Sequence, residues 1–216
     1  MAVPEYENGR VVVPAVQAFT SRGTQVTKVD LPIVENIDIS DYTAIKKSVD
    51  YFFDIPAGCP KYIANIDETG YGLLQISTDR LRSRKAFSWG NQDASNHWQE
   101  YLTDKAGRYL EIQAGLGKTQ YGCIPMAPHT AGSGWNSMVL FRFLKMCWRK
   151  NTGNVQSGNR KDSETGLHEK LKEKLETSKE MSRKKAQTVY RGSGYGALTS
   201  AWRKYKTSGI FYESCK

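Results

Sequence analysis

Short hydrophobic runs, separated by turn-forming residues, fill the first 131 positions of the chain. Each run alternates apolar with polar side chains or is rich in β-branched and aromatic residues, which is typical of strands. The predicted strands are Arg10–Pro14, Thr24–Val29, Ser48–Ile55, Lys61–Ile66, Tyr71–Thr78, Arg84–Trp89, His97–Leu102 and Arg108–Ala114. Because they recur about every ten residues with no helical period between them, they predict a mainly β fold, an antiparallel β-sandwich.

Three of the intervening segments, Ala57–Pro60, Asp67–Gly70 and Asp104–Gly107, are rich in Gly, Pro, Asn or Asp and predict turns. We expect Asp104–Gly107 to be a hairpin turn that pairs His97–Leu102 with Arg108–Ala114. Trp98, near the start of the first of these strands, is then expected in the core.

The pattern changes after residue 131. Residues 132–163 predict an irregular linker, in which a helix over Ser137–Arg149 would place apolar residues on every face. From Leu167 to Val189 leucines recur every four residues among Glu and Lys, which predicts a helix with a narrow apolar stripe. Glycines at Arg191–Gly194 would end it. The predicted organisation is a sandwich (1–131), a linker (132–163), and a basic helix with a flexible tail (164–216).

The net charge of +9 belongs to the second part of the chain. Residues 1–131 contain 13 Lys and Arg against 15 Asp and Glu, whereas residues 132–216 contain 18 against 7. A basic tract binds phosphate only when it is presented as a surface patch. We therefore do not expect nucleic acid as a partner.

The sequence lacks the patterns that would indicate a membrane span, secretion or a metal site. No apolar run approaches the roughly 20 residues that cross a bilayer, and the start, MAVPEYENGR, lacks the regions of a signal peptide. The four cysteines are scattered without a CxxC pair, which favours free thiols over disulfides or a zinc site. We expect a soluble, cytoplasmic protein with no membrane contact, no metal and no cofactor.

Trp89, Asn91 and Asp93 predict a ligand-binding turn after a strand. Sugars need this pairing, because their C–H faces stack on aromatic rings while their hydroxyls bond to amides and carboxylates. The alternative is a core tryptophan followed by a hydrophilic turn.

Glu111 and Gln113 lie two apart on one strand, so they share a face with Tyr109, opposite Leu110 and Ile112. That face either lines a cleft or meets solvent.

Two groups of basic residues are further candidates for contact with a ligand. Lys118, in the loop after this strand, either reaches the same ligand or is solvated. Arg80, Arg82 and Arg84 would share one face of an extended segment, next to Lys85. This cluster is either a solvated face or a contact for phosphate or an acidic sugar.

Residues 87–131, FSWGNQDASNHWQEYLTDKAGRYLEIQAGLGKTQYGCIPMAPHTA, resemble an uncharacterised bacterial family related to galactose mutarotase. The resemblance extends to AVPEYENGRVVVPA, KYIANIDETGYGLLQIS and, near the end, VYRGSGYGAL. Members of the family carry a large mutarotase-like β-sandwich before tetratricopeptide-like helices. The resemblance implies that this chain holds the late half of the sandwich and lacks the first half.

The resemblance also implies a function. Mutarotase-like enzymes carry their catalytic base in a Glu-Thr-Gln sequence, and Glu111-Ile112-Gln113 is similar, although the Pro-Asp pattern that follows is not reproduced. The acid, a histidine, comes from the half that is absent. Carbohydrate binding or conversion is therefore the implied activity of the parent, with Glu111 as catalytic base, and this chain is expected to be inactive. The rival interpretation is a non-catalytic scaffold for protein interaction.

The resemblance is interrupted at Gly132. The family has a Trp-Glu-Trp-Leu-Glu run where this chain reads GSGWNSMV, and one choice of codons for GSGWNSMV, preceded by a T, yields that run when read one base earlier. We therefore hypothesise that about 30 residues from Gly132 are a frame-shifted translation. The alternative is an ordinary divergent loop and helix, and the gene sequence distinguishes the two.

Overall fold

A computed structural model describes residues 1–22, 25–142, 160–185 and 187 of the chain. These residues form twelve strands and two α-helices. The strands are β1 (Ala2–Pro4), β2 (Arg10–Val12), β3 (Gln17–Arg22), β4 (Gln25–Asp30), β5 (Ile33–Val34), β6 (Ile37–Asp38), β7 (Val49–Phe53), β8 (Lys61–Ile66), β9 (Tyr71–Ser77), β10 (Ser83–Ser88), β11 (Tyr109–Gly115) and β12 (Asn136–Arg142). The helices are α1 (Asp93–Thr103) and α2 (Arg160–Arg183), and a short 3₁₀ helix covers Tyr42–Ala44.

Two antiparallel sheets contain ten of these strands. The six-stranded sheet has the order β1-β11-β10-β7-β3-β4, and the four-stranded sheet has the order β12-β9-β8-β2. Strands β5 and β6 pair with each other alone. The predicted mainly β fold with a C-terminal helix is therefore confirmed.

The sheets pack face to face through an apolar core. Along β11 the inner residues Leu110 and Ile112 are buried, whereas their neighbours are half-exposed. Ile63 of β8 meets them from the other sheet, in the same cluster. Burying such side chains contributes roughly 2 kcal/mol each, so this alternation fixes which face of each strand points inward.

A second apolar cluster lies on the other face of the four-stranded sheet, where α2 packs. Leu171 of α2 is buried in this cluster and Leu167 packs against it. The sheet residues are Val12, Tyr62, Ala64, Ile66, Leu74 and Ile76. The narrow leucine stripe predicted for this helix is therefore confirmed at Leu167 and Leu171.

The turn predicted at Asp67–Gly70 joins β8 to β9. One carboxylate oxygen of Asp67 accepts hydrogen bonds from the backbone amides of Thr69, at 2.8 Å, and Tyr71, at 3.0 Å. Short polar side chains stabilise turns in this way. The register that follows pairs Ile63 with Gln75, and β8 is buried on both faces.

The strand predicted at His97–Leu102 is wrong, because these residues belong to α1. The buried side of this helix is polar: the Gln99 side chain accepts a hydrogen bond from the Tyr109 amide at 3.1 Å. The apolar residues of the helix, Trp98, Tyr101 and Leu102, lie on its exposed side, so its buried side carries no apolar stripe. Trp98, expected in the core, is 55% exposed. Asp104–Gly107 is not a hairpin turn, since Asp104 caps α1 in the left-handed conformation.

Part of the predicted irregular linker is ordered. Residues 136–142 form β12, which pairs along the whole of β9, so a helix starting at Ser137 is wrong over these residues. Residues 143–149 lie outside the described residues. The helix α2 spans Arg160–Arg183, so it begins before Leu167 and ends before Val189, and the predicted extension toward Arg191–Gly194 is wrong. Residues 188–216, which include the predicted tail, lie outside the described residues. The frameshift hypothesis concerns the gene and stays a prediction.

Contacts divide the chain into two compact units, residues 1–177 and 178–216. Of the second unit, the described residues are 178–185 and 187, which include the last turns of α2. None of the helices described is both long and apolar enough to span a membrane. Cys59 and Cys123 are free thiols, as expected, and Cys147 and Cys215 lie outside the described residues.

Candidate functional site

The outer face of the six-stranded sheet, which points away from the four-stranded sheet, carries three of the six predicted site residues. Strand register places Phe87 of β10 directly opposite Glu111 of β11 on one side and Asp50 of β7 on the other. Residues that oppose each other in an antiparallel pair share a face. Lys85 is likewise opposite Gln113 and thus belongs to the same surface.

Glu111 and Gln113 occupy this face together, as the sequence predicted. The Gln113 amide donates a hydrogen bond to Glu111 Oε2 at 2.9 Å. Both side chains are half-buried. This bond fixes the direction of the carboxylate and leaves its second oxygen for another donor.

Trp89 extends the face as part of an aromatic cluster. Its ring meets Phe87 edge-to-face at 4.9 Å between centroids, and Tyr109 at 6.3 Å. Edge-to-face packing is the favoured geometry for such rings. The indole Nε1 of Trp89 is buried and has no hydrogen-bond partner among the described residues. Tyr109 lies two positions before Glu111, so a ring and the carboxylate are neighbours on one strand.

A buried ion pair that the sequence analysis missed lies at the centre of the outer face. The Lys85 ammonium is 2.8 Å from Asp50 Oδ1 and lies over the rings of Phe52 and Phe87, 5.3 and 5.8 Å from their centroids. Such contacts between a cation and two rings stabilise the charge. Side chains of a strand alternate between its two faces, so the sequence SVDYFFDI could have predicted that Asp50 and Phe52 share one face.

The loop after β11 covers this ion pair. Gln120 accepts a hydrogen bond from Lys85 at 3.2 Å, and the Tyr121 hydroxyl donates one to Ser21 Oγ at 2.8 Å. The Tyr121 ring also contacts Phe52 edge-on. The ion pair is thereby shielded from solvent, whereas Glu111 and Tyr109 are not covered by these contacts.

Asn91 and Asp93 have other roles in the structure. Gly90, at φ +78°, turns the chain after β10, and a Cβ there would come within 2.4 Å of the Lys46 carbonyl oxygen. The Asn91 amide donates to the Thr43 carbonyl at 2.8 Å, which holds the turn against the 3₁₀ helix. Asp93 is exposed in the first turn of α1, where a negative charge stabilises the helix. Neither side chain joins Glu111.

Arg108 holds the turn, the helix and the first strand together. Its guanidinium donates to Glu5 at 2.7 Å, to the Gly90 carbonyl at 2.7 Å, and to Asn96 of α1. Burial raises the pKa of Glu5, and the hydrogen bond and charge of Arg108 oppose that shift. Since Gly90 follows Trp89 directly, Arg108 positions the aromatic cluster next to β11.

A cleft of about 580 Å³, here called the Glu111 cleft, opens beside this arrangement. It lies between β1, β11 and the end of α1. Its lining residues are Ala2, Val3, Pro4, Leu102, Thr103, Ala106, Gly107, Arg108, Tyr109 and Glu111. Its volume suits a small ligand, and an aromatic ring, a carboxylate and a guanidinium are its directional groups.

Lys118 lies outside the Glu111 cleft. Its ammonium pairs with Asp54 at 3.1 Å, beside Lys28, which is 3.3 Å from the same carboxylate. Burial works against ionisation of Asp54, but the hydrogen bonds and charges of both lysines outweigh it and lower the pKa of Asp54. Lys118 lines a second cleft and does not line the Glu111 cleft.

The predicted arginine face is wrong. Strand β10 begins at Ser83, Arg80 and Arg82 precede it and are exposed, and Arg84 is completely buried between the sheets. Burial lowers the pKa of Arg84 to about 10. The three arginines therefore share no surface, and only Arg82 reaches a cleft.

No protein-family model matches the chain, and no solved structure matches it. The resemblance to mutarotase-like proteins thus stays a prediction. Among the described ranges, no group of three or more His, Cys, Asp or Glu side chains is arranged to hold a metal ion. His97 and His129 are both exposed, on α1 and in the loop after β11, and neither lines the Glu111 cleft.

Proposed function

We propose that the Glu111 cleft binds a carbohydrate. The observation that carries the proposal is that Tyr109, Glu111 and Arg108 line one cleft. A sugar offers an apolar face to a ring and hydroxyls to charged and polar groups. Trp89 packs edge-to-face against the Tyr109 ring, and Phe87 packs in the same way against Trp89.

Glu111 is the group that would act on a bound sugar. A carboxylate held by Gln113 at 2.9 Å is suited to accept the proton of a sugar hydroxyl. Ring opening requires an acid as well, and no other carboxyl group and no histidine lines this cleft. Binding is therefore the function proposed for this chain, with conversion of the sugar as the activity that Glu111 would support in the complete sandwich.

The test is saturation-transfer NMR of the full chain with a panel of aldoses. We expect Glu111→Gln and Tyr109→Leu each to lower the affinity for the aldose by about tenfold, since each removes one contact. The saturation-transfer signal should weaken accordingly. Glu100→Gln and Tyr71→Leu are matched controls at exposed positions outside the cleft and should not change it. Equal losses in the control variants, or no transfer to any aldose, would contradict the proposal.

A scaffold for protein interaction is the second candidate, and one observation favours it. The outer side of α1 presents Trp98, Tyr101 and Leu102, which are 55%, 78% and 49% exposed. The two rings contact each other edge-on at 6.0 Å. Exposed aromatic groups of this kind are typical of protein interfaces. Absence of binding to every aldose would favour this function over the first.

A further inference from the structure

The second cleft, here called the Lys118 cleft, has a volume of about 680 Å³ and lies where β7 ends and β10 begins. Three basic side chains line it, those of Lys61, Arg82 and Lys118. Two acidic residues, Asp54 and Asp79, also line it. Whether the cleft is positive depends on how many of these charges are already paired.

Both carboxylates have basic partners of their own. Asp54 lies 3.3 Å from Lys28 and 3.1 Å from Lys118. Asp79 lies 3.2 Å from His168 and 4.0 Å from Lys172 of α2. Two lysines thus share one carboxylate at Asp54, and no carboxylate among the described residues pairs with Arg82. The surroundings of the cleft keep a surplus of positive charge.

Lys61 adds a buried cation to the wall. Its residue is only 7% exposed, and its ammonium donates to the carbonyl oxygens of Ile55 at 3.1 Å and Pro56 at 2.8 Å. An ammonium has three donors, so one remains for a ligand. Burial lowers the pKa of Lys61, and the charges of Asp79 and Asp54 oppose that shift without cancelling it.

Arg84 lies behind this wall between the sheets and is also without a counter-ion. Its guanidinium bonds only to neutral oxygens, which are the carbonyls of Leu81, Ser83 and Lys61 and the hydroxyl of Ser77. Its Nε is buried and has no partner within the described part of the chain. Buried charges are normally paired, so an anion in the adjacent cleft would offset two cations that have no carboxylate partner among the described residues.

We propose that the Lys118 cleft binds a phosphate group, either free phosphate or the phosphate of a small metabolite such as a sugar phosphate. Lys61 and Lys118 would bond to the phosphate oxygens as point charges, and Arg82 would add the planar fork that suits a phosphate. Arg84 stabilises the anion through its charge from the layer beneath. The site is separate from the Glu111 cleft and does not depend on sugar binding there.

The test is isothermal titration calorimetry of the full chain at low ionic strength. The ligands are inorganic phosphate, glucose 6-phosphate and glucose. We expect phosphate-containing ligands to bind and the affinity to fall with added salt. Tighter binding of inorganic phosphate would identify the free ion as the ligand, and tighter binding of glucose 6-phosphate would identify a sugar phosphate.

Variants assign the binding to the cleft. Arg82→Gln and Lys118→Gln should each weaken binding by about tenfold, because each removes one charged hydrogen bond. Asp54→Asn should strengthen it severalfold, since it frees Lys118 and Lys28 from their shared carboxylate. Lys174→Gln removes a charge from the exposed side of α2 and should leave the affinity unchanged. Equal weakening by Lys174→Gln, or no binding of either phosphate compound, would overturn the proposal.

Discussion

The two outer faces of the sandwich have opposite characters although both belong to sheets of the same core. The outer face of the four-stranded sheet is apolar, and α2 packs on it through Leu171. The outer face of the six-stranded sheet carries an ion pair, an amide–carboxylate pair and an aromatic cluster. The apolar face is covered by a helix, whereas the polar groups of the other face are the ones that the proposed function uses.

The largest expected effect is the difference in stability between substitutions at two adjacent residues of β11, one on the inner face of the sheet and one on the outer face. Ile112→Ala should lower the free energy of unfolding by about 4 kcal/mol, because it leaves a cavity in the inner core. Gln113→Ala, one residue later on the outer face, should cost about 1 kcal/mol or less. Urea unfolding measures both. Similar losses would mean that the outer face is also a structural core.

The helix-covered face gives the next largest effect. Leu171→Ala should destabilise the protein by about 3 kcal/mol, since Leu171 is only 3% exposed against the four-stranded sheet. Leu140→Ala, at a leucine of β12 that is 67% exposed, is the matched control and should cost about 0.5 kcal/mol. Equal midpoints of unfolding for the two variants would show that α2 does not stabilise this face.

The smallest effect concerns pH and the charged end of the outer face. The pKa of Asp54 is lower in the folded protein than the ordinary 3.8. Its ionised form therefore stabilises the fold above the unfolded pKa, and this contribution is lost as pH falls through the lower, folded value. Asp54→Asn should flatten the loss of stability below about pH 4. Urea midpoints at a series of acidic pH values measure the slope, and an unchanged slope would contradict the assignment.

The sequence predicted the strands of the core better than their surroundings. Lys61–Ile66 and Tyr71–Thr78 were recognisable because both are rich in aliphatic and aromatic residues and are joined by a turn whose Asp and Gly residues are typical of turns. Helix α1 was missed because it docks through hydrogen bonds that Gln99 and Asn96 accept from Tyr109 and Arg108, and not through an apolar stripe. Strand β1 has three residues, which is too short for a period to be detected.

The candidate site was predictable only along single strands. Alternation alone places Glu111 with Gln113, and the structure confirms it. The partnership of Lys85 with Asp50 depends on the register between β10 and β7, which are 35 residues apart in sequence. The pairing of Lys118 with Asp54 likewise depends on how the loop after β11 crosses the sheet. No local pattern specifies either of these long-range contacts.

The bond between Arg108 and Glu5 has a consequence for the order in which the molecule is built. It joins residues 103 positions apart, and β1 enters the sheet only by pairing with β11. Closing so large a loop is slow, because the chain loses conformational entropy before the contact forms and stabilises the fold. During synthesis the inner strands can assemble first, before the contact across these 103 positions forms. The Glu111 cleft is therefore a late product of folding, and conditions that trap a partly folded chain should remove the cleft before they remove the core.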